Sequence, residues 1–374
     1  MVGSILGEEE RMIESYDVGS LPPKIRHKEM LELFSAYEKG MNSGLPQSLE
    51  EIIVEAFLDK ALTGIDIPNY PQFRDMNEMF LQMINGIEKI KEGYVEIESL
   101  SLKHGKEKIP EVHIIEENSE IIYEALGKRF RLKVCITGPY TLSALFAYKN
   151  EKTFLNLGRV LAEIVKENIF ENKYGKVFMV TLDEPAFGVM SDPTIDYGTP
   201  DREALLKAWE NIFRTASARG TITGMHLHST ADELFWHVES LNVVESHVDD
   251  PLYYRKAIKG KLEEHDKFLK ASICKTDYDQ LIREKLAKNN QKISKLELDE
   301  KTAETWKGIV KGIIDSGSFL EDETLMKKRL KKILEIFGAE RVPYAGPECG
   351  LGGFPSYKTA INYLQRVADV VKQF

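Results

Sequence analysis

The sequence predicts an α/β protein whose parallel strands form one (β/α)8 TIM barrel, and three observations support this fold class. Apolar segments typical of buried strands alternate with amphipathic segments at helical spacing, which indicates a parallel sheet. Eight strands can be counted if residues 65–67 form one of them. The residues that carry chemistry lie where strands end, as they do at the carboxyl-terminal mouth of such barrels.

The composition bounds the class of protein. The chain has 374 residues, of which 43% are hydrophobic and 29% are charged, as in soluble globular proteins. This length has room for two ordinary domains or for one large barrel, and we expect residues 1–374 to form a single barrel domain. A net charge of −10 argues against a nucleic-acid binder, which needs a basic surface.

The sequence also carries little sign of secretion or membrane insertion. Residues 1–10 lack the basic start and long apolar core of a signal peptide, and no apolar run approaches the ~20 residues of a membrane span. The three cysteines, Cys135, Cys274 and Cys349, are too few and too far apart for a disulfide framework. We therefore expect a cytoplasmic protein without disulfides.

The first elements are a short strand and two helices. A strand that begins at Ile13 is broken by a glycine and two prolines. Helices are predicted over 28–39 and over 48–62, the second with Ser48 as its N-cap. Residues 65–67 then form the extended segment that is needed to reach eight strands.

Two segments are predicted to decorate the barrel. Residues 76–90 show a helical pattern, whereas 94–98 and 111–114 alternate between apolar and polar residues. This alternation predicts a two-stranded excursion near 94–115. A lysine-rich, charged stretch near 275–301 predicts a solvated insertion.

The rest of the chain alternates strands and helices regularly, which predicts βαβ units and a parallel sheet. The predicted strands are 131–137, 177–182, 222–228, 243–245, 268–273 and 341–345, and the predicted helices are 155–172, 202–218, one starting at 231, 302–337 and 356–374.

Two histidines at strand spacing are the first candidate for chemistry. His226 and His228 follow an apolar segment, and on a strand both imidazoles would lie on one face and could share a metal. The alternative is a pair of polar residues at a strand end, hydrogen-bonded to their neighbours. Glu245 and Cys349 end other predicted strands, and the four together make a tetrahedral zinc ligand set.

Six motifs in order carry a resemblance to a known family. They are Val18-Gly19-Ser20, Gly138-Pro139-Tyr140-Thr141, Asp183-Glu184-Pro185-Ala186, His226-Leu227-His228, Glu245 and Pro347-Glu348-Cys349-Gly350-Leu351. From Tyr16 onward the chain resembles the catalytic C-terminal barrel of the cobalamin-independent methionine synthases, and most closely their short, single-barrel archaeal forms. The resemblance implies a barrel related to uroporphyrinogen decarboxylase and a methyltransferase that converts homocysteine to methionine.

The resemblance implies a zinc cofactor. The family holds zinc with His, Cys, Glu and Cys, which correspond here to His226, His228, Glu245 and Cys349. Glu245 would be the ligand that is most easily displaced by substrate. Because His228 stands where the family has a cysteine, it either replaces that ligand or contacts the other ligands without binding the metal itself. Cys274, at the end of another predicted strand, is the alternative replacement.

The resemblance also implies how homocysteine is bound. Asp183 would pair with the substrate ammonium and, with Glu245, would be one of the catalytic residues. Val18 and Ser20 would contact the substrate carboxylate through a backbone amide and a hydroxyl. A further family glutamate has no counterpart in this sequence, and Asp75 is the candidate for its place.

The sequence leaves the roles of three polar residues near these motifs undecided: Glu184, His247 and Asp249. Because side chains alternate along a strand, Asp183 and Glu184 are expected to point in opposite directions. His247 and Asp249 either orient a metal ligand or are ordinary solvated loop residues.

The resemblance also bears on the methyl donor, and other functions compete with methionine synthesis. The single-barrel forms imply a methylcorrinoid donor, either methylcobalamin or a corrinoid protein, with a methylated folate or pterin as the alternative. Methyl transfer to another thiol, such as coenzyme M, is a second function, but Ser20 and Asp183 suit an amino acid better than a sulfonate. A zinc hydrolase and a non-catalytic zinc protein are more distant alternatives.

Overall fold

The structure is a computed structural model that describes residues 13–41, 44–45, 47–290 and 292–374. The signal-peptide prediction concerns residues 1–10, which lie outside the described residues. Within the described ranges, none of the helices has the length and apolar character needed to cross a membrane.

The described residues form nine strands and thirteen α-helices, numbered in chain order. The strands are β1 (Glu14–Ser15), β2 (Ile84–Ile90), β3 (Gly93–Leu102), β4 (Phe130–Thr137), β5 (Gly175–Glu184), β6 (Ile222–Leu227), β7 (Val243–Glu245), β8 (Phe268–Cys274) and β9 (Tyr344–Pro347). The helices are α1 (His27–Glu38), α2 (Leu49–Leu62), α3 (Glu78–Leu81), α4 (Pro110–Glu117), α5 (Ser119–Leu126), α6 (Pro139–Ser143), α7 (Glu151–Glu167), α8 (Pro200–Ser217), α9 (Ala257–Glu264), α10 (Tyr278–Asn289), α11 (Lys295–Val310), α12 (Glu323–Phe337) and α13 (Tyr357–Val371).

Seven strands form one curled parallel sheet in the spatial order β1-β9-β8-β7-β6-β5-β4. Every pairing between neighbours in this sheet is parallel. Crossovers of 15 residues or more join β4 through β9, and all of them contain α-helices except the one between β6 and β7, as a parallel sheet requires of its connections. The α/β class and the parallel sheet that the sequence predicted are therefore confirmed.

The eighth strand position is occupied by an extended segment rather than by a regular strand. Ile67 bridges Tyr16 beside β1, and Asn69 bridges Lys133 on β4, both in parallel orientation. The segment contains two prolines, at 68 and 71, which lack the N–H that a continuous ladder needs. In place of the predicted strand at 65–67, the segment thus makes isolated bridges between the two edges of the sheet, at Ile67, Asn69 and Gln72, the last of which bridges Ser20.

A buried lysine stabilises this junction. Lys60 of α2 is fully buried, and its Nζ lies 2.7 Å from Asp17 Oδ2. The same ammonium donates to the carbonyl oxygens of Gly19 at 2.8 Å and Asn69 at 3.1 Å. One side chain therefore ties the segment after β1 to the segment that occupies the eighth position.

The predicted excursion exists, but its strands differ from the prediction. β2 and β3 form an antiparallel hairpin over 84–102, so the helix predicted over 76–90 ends after the short α3. Residues 111–114, predicted as a strand, lie in α4, which begins with Pro110 in its first turn. Proline is favoured at that helical position because its missing N–H would have no partner there.

Most other elements lie within a few residues of their predicted bounds, and three segments differ. The single helix predicted over 302–337 is two helices, α11 and α12, separated by residues 311–322. Ser48 caps α2 by accepting from Glu51 N at 3.1 Å, as predicted. A 3-10 turn at Leu234–His237 replaces the helix predicted from 231. The charged insertion near 275–301 is helical and falls within α10 and α11.

Two apolar layers position the site. The main core lies between the outer face of the sheet and the helices that pack against it. A second, smaller cluster joins side chains from around the sheet and fills the inside of the curl; its members are Tyr16, Ile67, Met179, Val243 and Tyr344. Further along the same inward faces, toward the carboxyl ends of the strands, the side chains become polar.

Candidate functional site

Three predicted site residues lie side by side at the ends of neighbouring strands. The register pairs Asp183 on β5 with His226 on β6, and His226 with Glu245 on β7. Their side chains are 5%, 2% and 1% exposed, respectively. Residues paired in a parallel sheet project to the same face, so these three share one level inside the curl.

Four potential metal ligands converge at this level and directly beyond it. One ligand atom from each of His226, His228, His247 and Cys349 lies within 4.8 Å of the others. Cys349 Sγ is 3.6 Å from His228 Nε2, and the rings of His228 and His247 are 4.1 Å apart. Three of the four predicted ligands thus come together, with His247 as an additional member.

The chemistry of this cluster suits a metal ion. Both ring nitrogens of His226 and Nε2 of His247 are buried without a hydrogen-bond partner. Tetrahedral zinc bound to nitrogen and sulfur sets its ligand atoms roughly 3.3–3.7 Å apart, so side-chain adjustments of about 1 Å would close the cluster around an ion. Buried polar atoms without partners are rare, and a bound cation would satisfy these.

Burial keeps the imidazoles neutral. It lowers the pKa of His226 well below its usual value, and the adjacent His228 contributes in the same direction. Burial likewise lowers the pKa of His228 to about 4, with a further contribution from His247. Because metal ligation needs the neutral ring, both residues are ready to bind at neutral pH.

The thiol of Cys349 needs a positive charge in order to ionise. Burial raises its pKa to about 12, although the N–H of Gly350 acts in the opposite direction. A divalent cation inverts this balance, because a coordinating thiol is deprotonated. The residues therefore fit a zinc ion held by imidazole and thiolate.

Glu245, the predicted carboxylate ligand, lies outside the group of four. It forms an ion pair with Lys270, and its Oε1 is 3.8 Å from His226 Nδ1. Lys270 is fully buried, also donates to the Pro347 carbonyl, and lies 5.2 Å from the centre of the Tyr16 ring. Glu245 is therefore beside the cluster and paired with an ammonium through Oε2, whereas its buried Oε1 has no hydrogen-bond partner.

Asp183 offers a carboxylate oxygen that has no hydrogen-bond partner. Its Oδ1 is buried and unpaired. Burial raises the pKa of Asp183 to about 7, and the nearby Lys133 partly offsets this effect. An unpaired, buried carboxylate next to a cluster of potential metal ligands is suited to bind the ammonium group of an amino acid.

Glu184 points to the other side of β5, as strand alternation predicts. Its carboxylate accepts from the backbone N–H groups of Tyr140 at 2.9 Å and Thr141 at 2.7 Å, and from Trp209 Nε1 at 2.7 Å. Glu184 thereby fixes the start of α6 beside the site.

Ser20 lies against the loop that carries Cys349. Its hydroxyl accepts from Gly352 N at 3.1 Å, and its carbonyl accepts from Leu351 N at 2.9 Å. A Cβ atom at Gly350 would overlap the Ser20 hydroxyl. Val18 is buried nearby, and its carbonyl accepts from Lys133 Nζ at 3.2 Å. Lys133 donates a hydrogen bond to Val18, and its positive charge lowers the pKa of Asp183. It therefore contacts or acts on two of the predicted substrate-binding residues.

Asp75 and Asp249 have other roles. Asp75 is exposed, and its Oδ1 accepts from Asn77 N at 3.0 Å and Glu78 N at 2.9 Å at the start of α3. Asp249 is 72% exposed and pairs with Lys275 at 2.8 Å. Asp75 as a substrate contact therefore depends on a carboxylate that already stabilises a turn.

Cys274, the alternative to His228, is separate from the cluster. Within the described residues, the group of four potential ligands includes Cys349 but not Cys274. Burial raises the pKa of the Cys274 thiol, although a hydrogen bond with Tyr363 partly offsets the shift. The geometry thus favours His228 at the position where the resembling family has cysteine.

Sequence reasoning did not assign three residues of the site environment. His247 was left open, although it follows Glu245 with the spacing of His226 and His228. Lys270 was missed, although a lysine inside an apolar strand is a signal of a buried charge. Glu348 was also missed; its carboxylate accepts from Val248 N at 2.8 Å and Thr276 N at 3.0 Å, which fixes the loops beside Cys349.

Comparisons with known proteins support the fold. No family model matches the chain. A curated methionine synthase from Sulfolobus acidocaldarius is 22% identical over 377 residues, covering 98% of this chain and 93% of the relative.

Two solved structures superpose over nearly the whole chain. A B12-independent methionine synthase from Shewanella in complex with selenomethionine gives a TM-score of 0.59 at 16% identity, covering 96% of this chain and 98% of the other. A putative B12-independent methionine synthase from Listeria monocytogenes gives 0.55 at 14% identity with the same coverage. At these identities the comparisons establish that this chain shares its fold with proteins named B12-independent methionine synthases.

Proposed function

We propose that this protein is a zinc-dependent methyltransferase that methylates the thiol of L-homocysteine to form methionine. The observation that carries the proposal is the proximity of two unsatisfied features. Buried His226, with both nitrogens unpaired, lies within 4.8 Å of Cys349 Sγ, and it is the strand neighbour of Asp183, whose Oδ1 is also unpaired. One feature suits a thiol-binding metal, and the other suits an amino-acid ammonium.

The comparisons support the same substrate. The curated relative is named methionine synthase, and the Shewanella structure holds selenomethionine, an analogue of the product. Methyl transfer to sulfur requires a thiolate, and a thiol near its ordinary pKa of ~8.5 is only a few per cent ionised at pH 7. Zinc, held by His226, His228 and Cys349, would supply the positive charge that stabilises the substrate thiolate.

The remaining residues would hold and orient the amino acid. Asp183 would accept hydrogen bonds from the substrate ammonium, and Ser20 and the backbone of Val18 would bind the carboxylate. Ser20 touches the loop of Cys349, so contacts to the carboxylate and to the sulfur would be coupled through one short segment. Fixing both ends of the substrate limits its sulfur to one orientation.

The donor of the methyl group is a separate question. The corrinoid donor that the sequence resemblance implies gains no support from the comparisons, since both structural neighbours are named B12-independent. The experiment therefore supplies both classes of methyl donor.

The test measures methionine formed under anaerobic conditions by zinc-loaded protein with homocysteine. Methylcobalamin and methyltetrahydrofolate are supplied in parallel reactions, and Cys349→Ser is the control. Methionine formed from either donor by the unmutated protein, with a loss of at least about 100-fold in the control, supports the proposal and identifies the donor class.

A second acceptor separates this proposal from its nearest alternative. Coenzyme M replaces homocysteine in otherwise identical reactions. Methylation of coenzyme M without formation of methionine would contradict the assignment of Asp183 and Ser20 as amino-acid contacts.

A further inference from the structure

We propose that His247, rather than Glu245, completes the metal ligand set, which then consists of three imidazoles and one thiolate. The inference rests on the proposed zinc chemistry, and it assigns a role to Lys270 that the sequence did not suggest. It replaces the carboxylate ligand that the family resemblance implies.

The sheet register places His247 on the correct face. His226 and Glu245 are paired between β6 and β7, and His228 and His247 each follow two residues later. Side chains two residues apart along a strand point the same way, so the two histidines beyond the strand ends continue the inward-facing level. The separation of 4.1 Å between the rings of His228 and His247 agrees with this arrangement.

Lys270 makes Glu245 a poor metal ligand. Both side chains are buried, and the ammonium pairs directly with the Glu245 carboxylate. A dication bound to that carboxylate would lie close to the lysine charge in a medium of low dielectric constant, where repulsion is strong. Moving Glu245 away from Lys270 would leave the buried ammonium with the Pro347 carbonyl as a partner but with no opposite charge beside it, which is unfavourable.

Two fully buried lysines already accompany the two carboxylates of this layer. Glu245 forms an ion pair with Lys270, and the positive charge of Lys133 lies near Asp183. A zinc ion held by three neutral imidazoles and one thiolate keeps a single net positive charge. The thiolate of the substrate, bound as a fifth ligand, would neutralise that charge, so this ligand set favours binding of an anionic sulfur.

Zinc affinity measured without homocysteine or methyl donor tests the assignment. Purified variants are titrated with Zn²⁺ against a chromophoric chelator, after circular dichroism has shown that each is folded. We expect His247→Ala to weaken zinc binding by about 100-fold or more, and Glu245→Gln to weaken it by less than about 10-fold. His237→Ala removes an exposed histidine away from the cluster and should leave the affinity unchanged.

Counting the imidazole ligands in the unmutated protein gives a second test, which does not depend on the folding of any variant. Protein that carries ¹⁵N-labelled histidine is loaded with ¹¹³Cd²⁺, and coupling between cadmium and nitrogen identifies the ligands. Three coupled imidazoles are expected. Two coupled imidazoles, or a larger loss of zinc affinity in Glu245→Gln than in His247→Ala, would overturn the inference. Because neither assay uses a methyl donor, failure of methionine synthesis would leave these results interpretable.

Discussion

Burial raises the pKa of the Asp183 carboxyl to about 7, although Lys133 acts to lower it. At the scale of the residue, this carboxylate is unfavourable for the fold because its charge lacks a hydrogen-bond partner at Oδ1. A substrate ammonium would supply that partner. The same atom therefore links the stability of the protein to the binding of its proposed substrate.

We predict that Asp183→Asn lowers kcat/KM for homocysteine by about 10–100-fold at pH 8, the loss expected for one hydrogen bond between charged groups. In the unmutated protein kcat/KM should rise as pH passes through about 7, because the ionised carboxylate binds the ammonium. The variant should lack this rise. Steady-state kinetics between about pH 6 and pH 8.5 measure the loss in kcat/KM and its dependence on pH. As a control, Asp183→Asn should bind zinc with unchanged affinity.

The same substitution should stabilise the protein without substrate. The pKa of Asp183 is higher in the folded chain than its unfolded value of ~3.9, so the folded state binds the proton more tightly. The stability that this group contributes is full below pH ~4 and is lost as pH rises through about 7. Asparagine cannot ionise, so we expect Asp183→Asn to raise the free energy of unfolding by about 1–3 kcal/mol at pH 8 and by less at pH 5. Urea unfolding at both pH values measures this; a gain that is larger at pH 5 would contradict it.

At the scale of the element, the loop after β9 depends on close contact with Ser20. Gly350 and Gly352 both approach the Ser20 side chain, and Leu351 N donates to its carbonyl. Cys349 directly precedes these glycines. The position of its sulfur therefore depends on a loop whose backbone can approach Ser20 only without side chains.

We predict that Gly350→Ala weakens zinc affinity by about 10-fold or more, because the added methyl group overlaps the Ser20 hydroxyl and displaces Cys349. Gly353→Ala is the matched control, since a Cβ at that position meets nothing within 4 Å. Zinc titration of both variants checks the prediction. Equal affinities in the two variants would show that the contact with Ser20 does not position the sulfur.

Elements with a strong local signal were predicted well from the sequence. The buried parallel strands appear as apolar runs, and α2 has a serine cap that is visible in the sequence. Strand β2 of the hairpin was missed because 76–90 contains apolar residues at helical spacing. Gly86, with φ of +87° at a register shift in β2, was the local signal against a long helix.

The proximity of the candidate site residues was predictable for a similar reason. Residues at strand ends can be named from the order of strands, so His226, Glu245 and Asp183 were found to be neighbours. The partner of each side chain depends on contacts between distant segments. The pairing of Glu245 with Lys270 and the approach of Cys349 to His228 join residues on different strands, and no local pattern specifies them.

At the scale of the whole molecule, the proposed metal would connect parts of the sheet that are far apart in sequence. His228 follows β6 and Cys349 follows β9, so an ion bound to both would brace the mouth of the curled sheet. A ligand that binds only the folded chain stabilises it in proportion to the logarithm of its concentration.

We predict that zinc at about 1,000 times its dissociation constant adds roughly 4 kcal/mol to the free energy of unfolding and raises the melting temperature by several degrees. Removal of zinc with a chelator should reverse the change. Differential scanning calorimetry measures the shift, and Cys349→Ser should show at most a small part of it. A full shift in that variant would place the stabilising metal elsewhere.

The junction between β1 and β4 has a consequence for the motions of the molecule. Residues 67–69 meet the two edges through isolated bridges, whereas β5 pairs with β4 along its length and with β6 from Met179 to Glu184. Backbone amides at this junction, such as those of Ile67 and Tyr70, should exchange with deuterium through local opening sooner than amides within β5. A bound amino acid that reaches from Ser20 to Asp183 would span the junction and slow that exchange. The substrate itself would then hold the two edges of the sheet together.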